Sequence, residues 1–157
     1  MTDTDKITVT SGWKARQYVQ QLKLFRNNSK TGQGPKNSTL WSEWLNDIYV
    51  VYSYNRKWPI YANWKGIWFR NEDKYSPTTS KHQSQTHPLT LYVPVSRIDL
   101  EYTVLFGEPS PELLVNIARL GLLPDELLAK AAEIRLTGET LKGMTVGEVY
   151  NKLRKGA

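Results

Sequence analysis

The spacing of apolar positions changes repeatedly along this chain, and each change marks an expected change of element. From Trp13 onward Ala15, Tyr18, Val19 and Leu22 recur at helical spacing, with Lys14, Arg16, Gln17, Gln21 and Lys23 between them. The pattern predicts an amino-terminal helix from Gly12 to about Phe25, capped by Ser11. Ahead of it, residues 1–10 read as a flexible, polar N-terminus with at most a short strand at Ile7 to Thr10. Behind it, NNSKTGQGPKNS from Asn27 to Ser38 consists of turn formers and reads as a mobile loop. From Thr39 to Phe69 the period shortens to two. TLWSEW, IYVVYSY, WPIYAN and IWF are separated by Asn46-Asp47, Asn55 to Lys57 and Lys65-Gly66, which predicts an antiparallel meander of four short strands. LTLYVPV beyond Pro88 adds a candidate fifth.

Between Asn71 and Pro88 the apolar pattern stops. Ser76-Pro77 is a strong helix start, with a capping hydroxyl before a proline at the first helical position. The residues that follow, TTSKHQSQTH, have no apolar face at any period, so a helix here cannot be held by a core in the usual way. Two readings fit such a segment. Either its side chains are absorbed in structural hydrogen bonds, or Lys74, Tyr75, Ser76, Thr79, Ser80, Lys81, His82 and Gln85 form a site that receives an anion at the start of a short polar helix. On that helix Thr78, His82 and Gln85 share one side. Further on, Ser96 and Asp99 resemble a capping pair for a helix closed by Gly107. Ser110-Pro111-Glu112 opens another that ends at Gly121, Pro124 a third and Thr145 a fourth. The helices around Gly121 invite a helix-turn-helix reading. Asp125, Glu126 and Glu133 on the second of them would repel DNA phosphates, and a helical hairpin fits better.

Composition changes this picture in two ways. The chain has 157 residues and no cysteine, which excludes disulfides, thiolate catalysis and cysteine-ligated zinc. Its net charge of +6 is unevenly placed: the lysine and arginine excess and all six tryptophans lie before residue 91, and the remainder is close to neutral. Interleaved basic and aromatic side chains are what phosphate contacts and base stacking use. The competing explanation is a half-buried sheet that recruits Trp and Tyr for packing and displays Lys and Arg to water. Under the binding reading, Arg56, Lys57, Lys65 and Arg70 supply electrostatic support from turns and strand ends. No segment approaches the roughly 18 apolar residues of a membrane span, and the start MTDTDKITVT lacks a secretory pattern, so a cytoplasmic protein without membrane partners is expected.

Catalytic signatures are weak. His82 and His87 lack a recognised metal-ligand spacing, Ser80 or Ser84 with His82 lacks a nucleophile elbow, and no second carboxylate cluster accompanies Glu72 and Asp73. No cofactor motif is present. YVVYSY, the aromatic hairpin after it and NEDKYSPTTSKHQSQ together resemble a motif of small uncharacterised phage and plasmid proteins, over about residues 40–88. The resemblance implies a mobile-element origin and a host-cytoplasm setting, and carries no catalytic assignment. The expected fold class is α+β: an amino-terminal helix, a four- to five-stranded antiparallel meander, a short polar helix at the sheet edge and a helical carboxyl-terminal region. It divides into residues 1–10, a domain over 11–107 and a helical region over 108–157. The expected function is non-enzymatic binding of nucleic acid or another polyanion. A module that inhibits or redirects a host protein is the alternative, and a nucleotide-binding protein or enzyme the third.

Overall fold

Turns built on left-handed residues set the centre of the sheet. Asn46 (φ 52) and Asp47 (φ 63) join β3 (Leu40–Leu45) to β4 (Ile48–Ser53). Two successive positive φ values match the right-handed twist of the strands, and Asn and Asp tolerate them better than most residues. Tyr54 to Trp58 carry the chain into β5 (Pro59–Trp64), and Lys65 (φ 50) with Gly66 (φ 86) turn it into β6 (Ile67–Asn71). Pro59 opens its strand, where a missing N–H costs least. These strands pair antiparallel in sequence, with a register shift between Val51 and Tyr52.

The computed structural model describes residues 6–121, and in it the expected four- to five-stranded antiparallel meander is replaced by a seven-stranded mixed sheet in the order β1-β2-β3-β4-β5-β6-β7. β1 (Ile7–Val9) runs parallel to β2 (Phe25–Asn27), and β7 (Tyr92–Val95) runs parallel to β6. Parallel neighbours need a crossover, and at each edge a helix supplies it. α1 (Ala15–Gln20) lies between β1 and β2, and α2 (Pro77–Gln85) between β6 and β7.

The expected helix from Gly12 to about Phe25 is corrected as well. A 3₁₀ turn at Gly12–Lys14 leads into a six-residue α1, and Ser11 makes no side-chain cap bond. Leu22 takes φ 55, the Leu22 N–H donates to the Val19 carbonyl at 3.0 Å and the Lys23 N–H to the Tyr18 carbonyl at 2.8 Å, a Schellman stop that here uses a leucine. The sheet outcompetes further helix. The Phe25 N–H donates to Ser42 Oγ at 3.0 Å, and Asn27 Oδ1 accepts from the Thr39 and Leu40 N–H groups at 3.0 and 3.3 Å.

Val9, Ala15, Val19, Phe25, Leu40, Tyr49, Val51, Tyr61 and Trp68 form the core under α1. The alternate strand positions Val50, Ala62 and Phe69 are equally buried, and α3 (Arg97–Phe106) packs across β5 and β6 through Leu100, Thr103 and Val104. Ser96 Oγ caps α3 by accepting from the Asp99 N–H at 3.1 Å, and Gly107 ends it at φ 74. The chain divides into two compact units, Met1–Gly107 and Glu108–Ala157. In the second, Ser110 Oγ caps α4 (Pro111–Arg119), accepting from the Leu113 N–H at 3.2 Å. The helices expected from Pro124 and Thr145, and the basic tail KLRKGA, lie outside the described residues. Among the described residues no helix is long and apolar enough to cross a membrane.

Asn46 does two jobs at once. Beyond holding the turn, its Nδ2 donates to the Val104 and Leu105 carbonyls, both at 2.9 Å, satisfying acceptors in the last turn of α3. Asn46→Gly keeps the backbone conformation and loses only these bonds, whereas Asn46→Ala also puts a residue that tolerates the left-handed region less well than asparagine there. Urea denaturation is expected to show a loss of about 1–2 kcal/mol for Asn46→Ala, with Asn46→Gly retaining more stability.

A buried polar helix and its exposed rim

α2 has no apolar face because its inner face is bound by hydrogen bonds. Ser76 Oγ caps it, accepting from the Thr79 N–H at 3.0 Å, and Pro77 follows at the first helical position. Thr79, His82, Gln83 and Gln85 are buried, as is Thr86 just beyond. Ser53 Oγ, fully buried on β4, lies 3.0 Å from Thr79 Oγ1 and 2.8 Å from His82 Nδ1. Tyr61 Oη donates to the Gln83 carbonyl at 3.0 Å, Gln83 Nε2 to the Asn71 carbonyl at 2.6 Å, and Asn71 Nδ2 to the Pro59 carbonyl at 2.9 Å. Thr86 Oγ1 donates to the His82 carbonyl at 2.7 Å. Gln85 packs on Gly12, where a Cβ would sit 2.2 Å from its Oε1. Each bond is worth roughly 0.5–1.5 kcal/mol net, but an orphaned buried partner costs about 1–3 kcal/mol, so the network holds as a whole or fails as a whole. The helix thus lies over β4 and β5, not at the sheet edge as expected.

Burial fixes the protonation of this network. Desolvation raises the Tyr61 phenol to about 12, so it remains a donor at neutral pH. Desolvation, aided by the Lys81 charge, lowers His82 to about 4. His82 is therefore neutral in the folded protein at pH 7, with Nδ1 committed to Ser53. Ser53 is inaccessible, so this Ser–His contact is a structural hydrogen bond. His87 is separate: its Nδ1 accepts from the Leu89 N–H at 2.8 Å, and its ring meets Tyr61 and Tyr92 edge-on.

The eight residues singled out in sequence as an anion site thus divide. Thr79, His82 and Gln85 face inward and Ser76 is spent as a cap, while Lys74, Tyr75 and Lys81 are exposed and Ser80 is half-buried. The four supporting cations are dispersed. Arg56 is paired with Glu43 through Nε at 3.1 Å and through Nη2, and Lys57 is exposed in the same turn. Lys65 lies 5.7 Å over the Trp64 ring in the β5–β6 turn, at the opposite end of that hairpin from Lys57. Arg70 is half-buried, donating to Tyr92 Oη at 3.1 Å, with Glu72 at 3.6 Å.

Near the start of α2 a group of rings appears that sequence reasoning missed. Tyr75, 52% exposed, lies 4.5 Å from Trp58 and 6.4 Å, edge-on, from Tyr54. Tyr54 also contacts the His82 ring at 5.8 Å, and the Arg97 guanidinium sits 5.1 Å over Trp58. Tyr54 and Trp58 flank the turn Asn55 to Lys57, and that flanking was the available signal. Exposed Lys57, Lys74 and Lys81 neighbour these rings in sequence or on the helix. Among the described residues no group of three His, Asp or Glu side chains could hold a metal ion. No family model matches this chain, and neither a curated protein nor a solved structure matches it.

Two measurements check the network. Ser53→Ala leaves Thr79 and His82 without their shared partner, and is expected to cost about 1–3 kcal/mol in urea denaturation. Because the folded pKa of His82 lies below its unfolded value, its contribution is present above pH 6.5 and is lost as pH falls toward 4. The slope is at most about 1.4 kcal/mol per pH unit for one proton. Melting series between pH 7 and pH 4.5 should therefore fall more steeply for the parent than for His82→Gln; parallel curves would show that His82 does not titrate in this way.

Proposed function

We propose that the protein is a non-enzymatic nucleic-acid-binding protein that takes a single strand on the Tyr54–Trp58–Tyr75 ring cluster. Exposed Lys57, Lys74 and Lys81 supply the phosphate contacts, with Arg97 held over Trp58. The observation that carries this reading is an exposed aromatic resting on half-buried aromatics, with exposed lysines close by in the chain. Tyr75 keeps half its surface in water while its neighbours fix its position. Stacking on such rings tolerates any base, and lysine side chains around it track the backbone. Positive charge concentrated in the first 90 residues adds long-range attraction. Ser76, Thr79, His82 and Gln85 belong to the scaffold beneath this surface and do not contact the strand.

A second reading, a module that binds and redirects a host protein, rests on α3. Ile98, Leu105 and Phe106 are 71%, 68% and 41% exposed, and their spacing places them along one side of the helix. An interface built on such a stripe would survive salt that dissolves a phosphate-driven complex.

Fluorescence anisotropy against short single-stranded and duplex DNA and RNA separates the two readings. Single strands are expected to bind more tightly than duplex, with affinity falling steeply as salt rises. Tyr75→Ala should weaken binding about 5- to 150-fold, the range for one lost stacking partner. Lys74→Ala with Lys81→Ala should flatten the log–log salt slope by about 1.4 for single strands. Unchanged affinity in the double lysine variant would count against the reading.

A further inference from the structure

Beyond the opposite, carboxyl-terminal end of α2, three cationic or donor groups from separate elements converge without an acceptor to share. Arg16 on α1 donates through Nη2 to the Ser84 carbonyl at 2.6 Å and stacks 5.5 Å over Trp13. Gln20, one turn on, donates through Nε2 to the Pro88 carbonyl at 3.3 Å, which fixes α1 against the segment bearing His87. Arg70 on β6 donates through Nη1 to Tyr92 Oη and lies 5.4 Å over the Tyr92 ring, and that ring meets His87 at 5.6 Å. In both arginines Nε is buried and has no hydrogen-bond acceptor among the described residues. Buried guanidinium N–H groups seldom go unpaired, because an orphaned donor of a charged group is costly.

His87 completes the set. Its Nδ1 accepts from the Leu89 N–H, so the neutral ring carries its proton on Nε2 and presents a donor there. Burial lowers its pKa, and the Arg70 and Arg16 charges add to that effect. The other groups around it are the Tyr61 and Tyr92 phenols, one of which donates to the Gln83 carbonyl and the other of which accepts from Arg70. The Glu72 carboxylate lies 3.6 Å from Arg70. Arg16 pairs with no carboxylate among the described residues.

We infer that Arg16, Arg70 and His87 form a binding site for a phosphate group. Two planar guanidinium donors and an imidazole N–H suit a tetrahedral oxyanion carrying close to two negative charges; one arginine would suffice for a carboxylate. A bound phosphate gives the two Nε groups an acceptor and offsets the repulsion between the arginines and a protonated His87. The site draws on residues separate from the ring cluster at the start of α2, and it stands whether or not that cluster binds a strand.

The test is an NMR titration of the His87 ring in the full chain with inorganic phosphate, at ionic strength held constant with chloride. A saturable shift is expected, together with a rise of about one unit in the His87 pKa, equivalent to tenfold tighter proton binding in the complex. The His82 ring, tied to Ser53, should not move. Arg16→Gln and Arg70→Gln should each abolish the His87 response while leaving the far-ultraviolet circular dichroism unchanged. Acetate should not reproduce it. A 5′-phosphorylated dinucleotide producing the shift more strongly than inorganic phosphate would assign the site to a nucleic-acid end, and the reverse order to the free ion. A His87 resonance that responds alike to phosphate, acetate and chloride would overturn the proposal, and this needs no variant to be read.

Discussion

A helix with no apolar face can lie on a sheet only if its buried donors and acceptors find partners there, and that requirement shapes this protein. Ser53 interrupts an otherwise apolar and aromatic strand to meet Thr79 and His82 of α2, while the Tyr61 hydroxyl and the Asn71 carbonyl meet Gln83. Gly12 is bare so that Gln85 can approach. Hydrogen bonds are directional and lost steeply with misalignment, so a polar interface of this kind fixes position more tightly than apolar packing would. Loss of Ser53 leaves the buried His82 Nδ1 without its partner.

That fixed position gives the two ends of α2 different characters. At its start the segment Glu72 to Ser76 leaves the sheet and sets Tyr75 on Trp58, with Lys74 beside it. In its last turn the Ser84 carbonyl accepts from Arg16, and just beyond its end His87 meets the Tyr92 ring over which Arg70 lies. Both arrangements derive from the same anchoring. Polar side chains in the middle of the segment serve the fold, whereas Lys74 and Tyr75 ahead of it stay exposed.

Period-two alternation and turn chemistry made the strands from Leu40 to Asn71 readable, because Asn46-Asp47 and Lys65-Gly66 are turn formers wherever they occur. Strands near Ile7 and within LTLYVPV were expected, but their parallel pairing was not readable. β2 is three residues long, too short to show a period, and Phe25 continues the apolar spacing of the helix before it. Nothing in Leu22 announces a left-handed helix stop; tertiary bonds from Ser42 and Asn27 impose it. Ser76-Pro77 announced the start of α2, but composition alone could not distinguish a helix bonded to its own sheet from one offered to a ligand. Thr79 and His82 face Ser53, whereas Lys81, between them in sequence, faces water. A polar serine in the apolar run IYVVYS was the trace this pairing left in the sequence.

Hydrogen exchange of the α2 amides addresses that anchoring most directly. An isolated nine-residue helix is marginal in water, so protection there must come from the sheet. The Ser80 and Thr86 amides, bonded to the Ser76 and His82 carbonyls, are expected to exchange as slowly as those of β4 and to open with them in one cooperative step. Exchange at the rate of an unstructured peptide, with β4 still protected, would contradict the account and leave α2 a solvated connector.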